Sequence, residues 1–150
     1  MASYVFNKFK SDLMQGLHNL SAANDVYKVA LVVASAAGFS AITTAADITA
    51  TWNTLSATWD ISNTSAYNST NYSQVGLSGC GVTPNYGTEM GQWSASNVTW
   101  QNATIDTDGC VIYKDSNGAM VCAIDFGTKK SSSNGDFTIQ WNSSGILDLS

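Results

Sequence analysis

The side chain best suited to acid–base catalysis is His18, because it is the only histidine in the chain. A Ser-His-Asp triad would have to use it, yet no Gly-x-Ser-x-Gly nucleophile elbow accompanies it. A single histidine also cannot build a histidine-based metal site. The sequence therefore predicts an exposed or partly packed histidine, and it favours a chain that is not an enzyme.

Acidic residues precede glycine in two short runs, Asp106-Thr-Asp-Gly109 and Asp115-Ser-Asn-Gly118. The first resembles the opening of a calcium loop, but neither run has the acidic ligand at the twelfth position that an EF-hand requires. Asp and Asn before Gly are ordinary turn residues. We expect turns here and no metal site, although a weak ion at Asp106 and Asp108 stays open. No spacing pairs Glu89 with an aspartate for glycoside hydrolysis.

The five tryptophans raise the possibility of a sugar-binding surface. Trp100 and Trp141 lie in alternating apolar patterns, which favours packing in a core. Trp52, Trp59 and Trp93 lie in less regular segments. A carbohydrate-binding module therefore stays open as an alternative function.

The composition argues against several classes of partner and cofactor. Only 11% of the 150 residues are charged, no arginine is present, and the net charge is −5. Phosphate contacts need Lys and Arg, so neither nucleic acid nor an anionic membrane surface is expected as a partner. No nucleotide-binding fingerprint or other cofactor motif is present. The first residues contain no apolar signal segment, which predicts assembly in a cytoplasm.

Three cysteines, Cys80, Cys110 and Cys122, do not form an even disulfide framework. A bridge between Cys110 and Cys122 could be drawn across a hairpin. A turn centred on Asn117-Gly118 would, however, set Cys110 opposite Asp125 and Cys122 opposite Tyr113, which disfavours the bridge. Buried free thiols are the expected state.

One helix is predicted, over residues 4–20 at the N-terminus. Its apolar residues recur at helical spacing and form a single stripe. Such a helix either covers a sheet edge or docks on a neighbouring subunit through the stripe of Phe6, Phe9, Leu13 and Leu17.

The rest of the chain, residues 26–150, predicts a β-rich body. Residues 26–34 form a nearly continuous apolar run, which indicates a buried strand. Residues 49–62 could hold one or two strands, residues 62–74 read as a polar surface loop, and short strands are expected over residues 75–93. Residues 97–105, with a bend near Asn102, and 109–114 predict further strands.

The C-terminal end predicts the closing strands of a sheet. Asn117-Gly118 is a hairpin signal after residues 109–114. Beyond it, Phe137, Ile139 and Trp141 alternate with polar residues, and Asn134-Gly135 and Ser144-Gly145 predict turns between strands. The fold class expected is all-β, a single-domain β-sandwich or jelly roll over residues 1–150 with a short N-terminal helix.

Several runs of the chain resemble a family of small tailed-bacteriophage proteins. Near the N-terminus these are Phe6-Asn-Lys-Phe-Lys-Ser-Asp-Leu-Met14, His18-Asn-Leu-Ser21 and Lys28-Val-Ala-Leu-Val32. The later ones are Val98-Thr-Trp-Gln-Asn-Ala-Thr-Ile105, Val111-Ile-Tyr113, Ile124-Asp-Phe-Gly127, Ser132-Ser-Asn-Gly-Asp-Phe-Thr-Ile-Gln-Trp-Asn142 and Gly145-Ile-Leu147. The chain departs from the family pattern over residues 68–84 and 106–110.

The resemblance implies a virion structural protein, most simply a capsid decoration or cement protein on the exterior of the head. Such a protein stabilises the shell by binding the assembled lattice in preference to free subunits. The implied partners are the major capsid protein and further copies of the same chain, with a homotrimer expected. The resemblance places Phe6, Phe9, Leu13 and Leu17 at a subunit or capsid contact. A tail component, a head–tail junction component or a fibre base is the alternative within the particle, and a module that binds host glycans is the alternative of another class.

Overall fold

The structure, a computed structural model, describes residues 2–21, 25–33, 40–48 and 50–149. Strands make up 49% of it and helices 18%, so the predicted all-β, sandwich-like fold is confirmed. The strands are β1 Ala2–Val5, β2 Tyr27–Val32, β3 Ser69–Thr70, β4 Val75–Gly76, β5 Gly81–Asn85, β6 Met90–Ser94, β7 Val98–Lys114, β8 Met120–Ile139 and β9 Leu147–Leu149. The helices are α1 Asn7–Met14, α2 Ser40–Ile48 and α3 Trp52–Trp59, followed by a 3₁₀ turn, Ile61–Asn63.

Two antiparallel sheets form the body of the molecule. The larger sheet has the order β1-β8-β7-β2-β4, with β3 pairing on β7, and the smaller has the order β5-β6-β9. Trp93 of β6 joins them, because its ring packs edge-on against Tyr27 of β2 at 5.2 Å between centroids. Its indole N–H donates to the carbonyl of Leu20 at 2.8 Å, so the one polar atom of this buried ring is satisfied.

The hairpin of β7 and β8 forms the centre of the larger sheet, with β1 paired to β8 and β2 paired to β7. Its turn lies at the predicted Asn117-Gly118, where Gly118 has a φ of 71°. The register, however, differs by one residue from the prediction, since Cys110 pairs with Ile124 and Cys122 with Ile112. The difference arises at the turn, because Tyr113 pairs with Met120 and the hairpin is therefore centred between Ser116 and Asn117. One additional residue in β8, opposite the step from Ile112 to Tyr113, then reduces the offset from two residues to one. The cysteines are free, as predicted.

Irregular positions within β7 and β8 correct two predicted boundaries. Residues 97–105 and 109–114 belong to one strand, which bends at Asn102 as predicted, with a φ of 47°. Asn134-Gly135 was predicted as a turn between strands, but it lies inside β8, where Asn134 has a φ of 50° and the register to β7 shifts. Asn tolerates this conformation, so the pair forms a bulge and the strand continues. The turn at Ser144-Gly145 is confirmed by a bridge between Asn142 and Gly145.

The N-terminal helix is shorter than the predicted 4–20. Tyr4 and Val5 belong to β1, which pairs with Ala123 and Cys122 at the edge of β8. The helix itself ends at Met14, and Gly16 follows with a φ of 73°. Glycine accepts this left-handed conformation, which terminates helices.

The strands predicted for residues 49–62 are wrong, because α3 occupies most of that segment. Trp52, Leu55 and Trp59 repeat at helical spacing and are all buried. β-Branched threonines favour strands locally, but burial of this apolar stripe determines the structure. The strand predicted for residues 26–34 is confirmed as β2, with residue 34 lying outside the described residues. The short strands predicted over residues 75–93 are confirmed as β4, β5 and β6.

Candidate interaction site

A groove of about 630 Å³ lies on the β8 side of the larger sheet. It forms because β8 departs from β7 in its middle: Asp125 pairs with Gly109 and Lys130 pairs with Thr107, so residues 126–129 lie opposite Asp108 alone. Gly127, with a φ of 78°, allows this departure. The two halves of β8 and the segment after it then enclose the groove, whose apolar lining is Ile124, Phe126, Phe137, Ile139, Trp141 and Ile146.

The apolar lining divides into a buried floor and a partly exposed wall. Ile124, Phe137 and Ile139 are no more than 9% exposed and form the floor. The three wall residues, Phe126, Trp141 and Ile146, are only half-buried within the chain. Covering them with a partner would remove more apolar surface from water, which is the main favourable term in protein association.

The wall of the groove is held by hydrogen bonds. The indole N–H of Trp141 donates to the carbonyl of Ser96 at 2.9 Å. The amide of Ile146 donates to the carbonyl of Trp93 at 2.6 Å, and a Cβ on Gly145 would lie 2.6 Å from that same oxygen. The groove is therefore largely formed before any partner binds, which lowers the entropic cost of association.

The rim of the groove carries one cation, Lys130. Its side chain is exposed, and within the described part of the chain it makes no ion pair. The adjacent Lys129 instead lies over the ring of Tyr67, 4.0 Å from its centroid. An apolar group that carries a carboxylate would complement this site.

The predicted polar loop, residues 62–74, is hydrogen-bonded to β7 beside the groove. The Tyr67 hydroxyl donates to Asp108, and this hydrogen bond raises the pKa of Tyr67 to about 12. The Asn68 side chain donates to Asp106 at 2.5 Å. Hydrogen bonds from Ser131 and Asn68 lower the pKa of Asp106. Both aspartates that were considered for a weak ion thus accept hydrogen bonds from the loop. Among the described residues, no three Asp, Glu, Cys or His side chains lie close enough together to bind a metal ion.

The four residues assigned to a subunit or capsid contact do not share one surface. Phe6 and Phe9 are fully buried in the chain's own core. Their assignment to a contact is therefore corrected, because a side chain with no exposed area cannot meet a partner. Leu13 is half-buried and Leu17 is 53% exposed, so for these two a contact stays a prediction.

His18 is buried rather than exposed, and it follows α1 instead of lying on it. Only 8% of it is exposed, and its ring packs edge-on against Phe9 at 4.8 Å between centroids. Its Nδ1 lies 3.0 Å from the Tyr27 hydroxyl. Burial, and after it the charge of Lys114, lowers the pKa of His18 below its usual 6.5. The surroundings are those of a core histidine with a hydrogen-bond partner.

The tryptophans that kept a sugar-binding surface open are not available for stacking. Trp52, Trp59 and Trp93 are at most 7% exposed. Trp100 is buried, as predicted, whereas Trp141 is half-buried and lies on the groove rather than in the core. The alternation of Phe137, Ile139 and Trp141 was the available signal for this surface.

No family model, curated protein or solved structure matches the chain. Across the ranges that the structure describes, none of the helices has the length and apolar character needed to cross a bilayer.

Proposed function

We propose that this chain is a structural protein of a tailed-bacteriophage particle, a decoration protein that binds the outside of the capsid and stabilises the head. The sequence resemblance near both ends of the chain suggests the particle, and the groove supports a role in protein–protein contact. The single observation that carries the proposal is a preformed surface whose apolar wall is only half-buried and whose rim carries Lys130, which makes no ion pair with any described residue.

The local chemistry supports binding over catalysis. His18 is only 8% exposed, and its Nδ1 lies 3.0 Å from the Tyr27 hydroxyl, so this nitrogen is engaged within the protein. Asp106 and Asp108 are used to hold a loop. A rigid β-sheet body with polar loops and a preformed apolar groove suits a protein that acts through repeated contacts. Such a protein stabilises an assembled lattice by mass action, because it binds the lattice and not the free subunits.

Add-back to particles that lack the chain tests this proposal. Phage particles produced without its gene are mixed with increasing amounts of the purified protein and sedimented. We expect saturable binding to the heads and a higher temperature of DNA release for the decorated particles. Binding confined to tails in immunogold images would indicate the tail or junction alternative, and failure to bind any part of the particle would contradict the proposal.

A further inference from the structure

The turn between β5 and β6 presents an exposed aromatic side chain. Tyr86 in this turn is 88% exposed, more than any other large apolar residue described. The turn is ordered by Asn85, whose Oδ1 accepts from the amides of Gly87 at 3.0 Å and Thr88 at 3.3 Å. Glu89, the only glutamate of the chain, closes the same turn. Tyr86 is therefore exposed to solvent, in the same turn as a carboxylate residue.

The groove on β8 has the complementary properties. Phe126, Trp141 and Ile146 present a half-buried apolar wall, and Lys130 stands on the rim. Within the described residues, neither Lys130 nor Glu89 forms an ion pair. An apolar cleft with a cation on its rim and an exposed aromatic side chain in a turn with an anion are complementary in polarity and in charge.

The two features lie toward opposite ends of β6. The turn that carries Tyr86 precedes Met90 at one end, and Trp93 at the other end accepts the hydrogen bond from Ile146 of the groove. The three residue steps from Met90 to Trp93 span about 10 Å in a strand. Because Tyr86 is almost fully exposed, it does not fill the groove of its own chain.

We propose that the groove receives Tyr86 from a second copy of this chain, with Glu89 of that copy placed against Lys130. Each copy then carries one donor turn and one acceptor groove, so the contact is head-to-tail. Such contacts close into a ring when the rotation between neighbours permits. The inference uses the groove that also supports the proposed function, but its tests use the purified chain alone, so its failure and the failure of capsid binding are distinguishable.

Sedimentation velocity of the purified full chain over a range of concentrations tests this contact. We expect the wild type to form oligomers and Tyr86→Ala to weaken their association by about 10- to 100-fold, the effect of losing one buried aromatic side chain. Met14→Ala is the matched control, because Met14 is 85% exposed and lies outside both features. It should associate like the wild type, and both variants should keep the thermal midpoint of the wild-type monomer.

A charge exchange identifies the partner residues and separates the contact from any effect on folding. Lys130→Glu and Glu89→Lys should each weaken association, because each places like charges together. The double variant restores opposite charges and should recover the wild-type oligomer. A wild-type chain that stays monomeric, oligomers that do not respond to Tyr86→Ala, or a double variant no better than the single ones would overturn the inference.

Discussion

Replacing Phe9 with alanine distinguishes a core role for α1 from a contact role. Phe9 has no exposed area, and its ring packs edge-on against His18 at 4.8 Å between centroids. Truncation would leave a cavity between α1 and the sheet, and losses of this kind cost about 3–5 kcal/mol. For a chain of this length, that loss lowers the thermal midpoint by about 6–20 °C.

Urea unfolding followed by tryptophan fluorescence measures this loss, because most of the tryptophans are buried in the folded chain. Leu17→Ala is the matched control on the same segment. Leu17 is 53% exposed, so its truncation should change the free energy of unfolding by no more than about 0.5 kcal/mol. A loss below about 1 kcal/mol for Phe9→Ala would refute the core role and would return Phe9 to the surface contact expected from the sequence.

Three further predictions concern the wall of the groove, the histidine and the thiols. Gly145→Ala should destabilise the fold more than Gly127→Ala. Both glycines have positive φ, but a Cβ at Gly145 would lie 2.6 Å from a backbone oxygen, whereas one at Gly127 meets open space. Equal losses of unfolding free energy in urea would contradict this steric difference. The pKa of His18 is lowered in the folded chain, so the unfolded chain takes up a proton more readily below about pH 6.5. The free energy of unfolding should therefore be independent of His18 above that pH and should decrease as the pH is lowered further, by at most about 1.4 kcal/mol per pH unit. His18→Gln should remove that slope between pH 6.5 and about 5, above the range where carboxylates titrate, and an unchanged slope would refute its assignment. Iodoacetamide should modify Cys80 first in the native chain, because Cys110 and Cys122 are buried and burial raises the pKa of their thiols. Equal labelling of the three cysteines by mass spectrometry would contradict this.

The parts of the fold that the sequence predicted are those set by local patterns. Asn117-Gly118 specified the central hairpin, and the apolar run of β2 specified a buried strand. The alternation of Phe137 and Ile139 placed these residues on the buried face of β8. In each case the turn chemistry or the period of burial is contained within a few neighbouring residues.

The parts that were missed depend on contacts between distant residues. The threonines of residues 49–62 favoured strands, but Trp52, Leu55 and Trp59 are buried as a helical stripe against the sheet. Asn134-Gly135 has the composition of a turn, but it forms a bulge, because β8 pairs with β7 both before and after these two residues. In both segments the local sequence allowed two conformations, and contacts with residues distant in the chain selected the one observed.

The candidate site was also only partly predictable. The alternation that includes Trp141 indicated an apolar face, but the groove joins Phe126 to Ile146 across 20 positions of the chain. It exists because residues 126–129 leave the pairing with β7, and no local pattern marks that departure. The stripe of Phe6 and Phe9 looked like a contact surface because periodicity shows which residues share a face and does not show what covers them.

Quantitative mass spectrometry of purified particles, from a phage whose genome encodes this chain, tests the proposed virion role most directly. The amount of this chain is compared with that of the major capsid protein. The account predicts about one copy, or about one third of a copy, per capsid subunit, because a symmetric lattice offers equivalent sites in such ratios. Only a few copies per particle would contradict lattice-wide decoration, and absence from the particle would contradict the virion role itself.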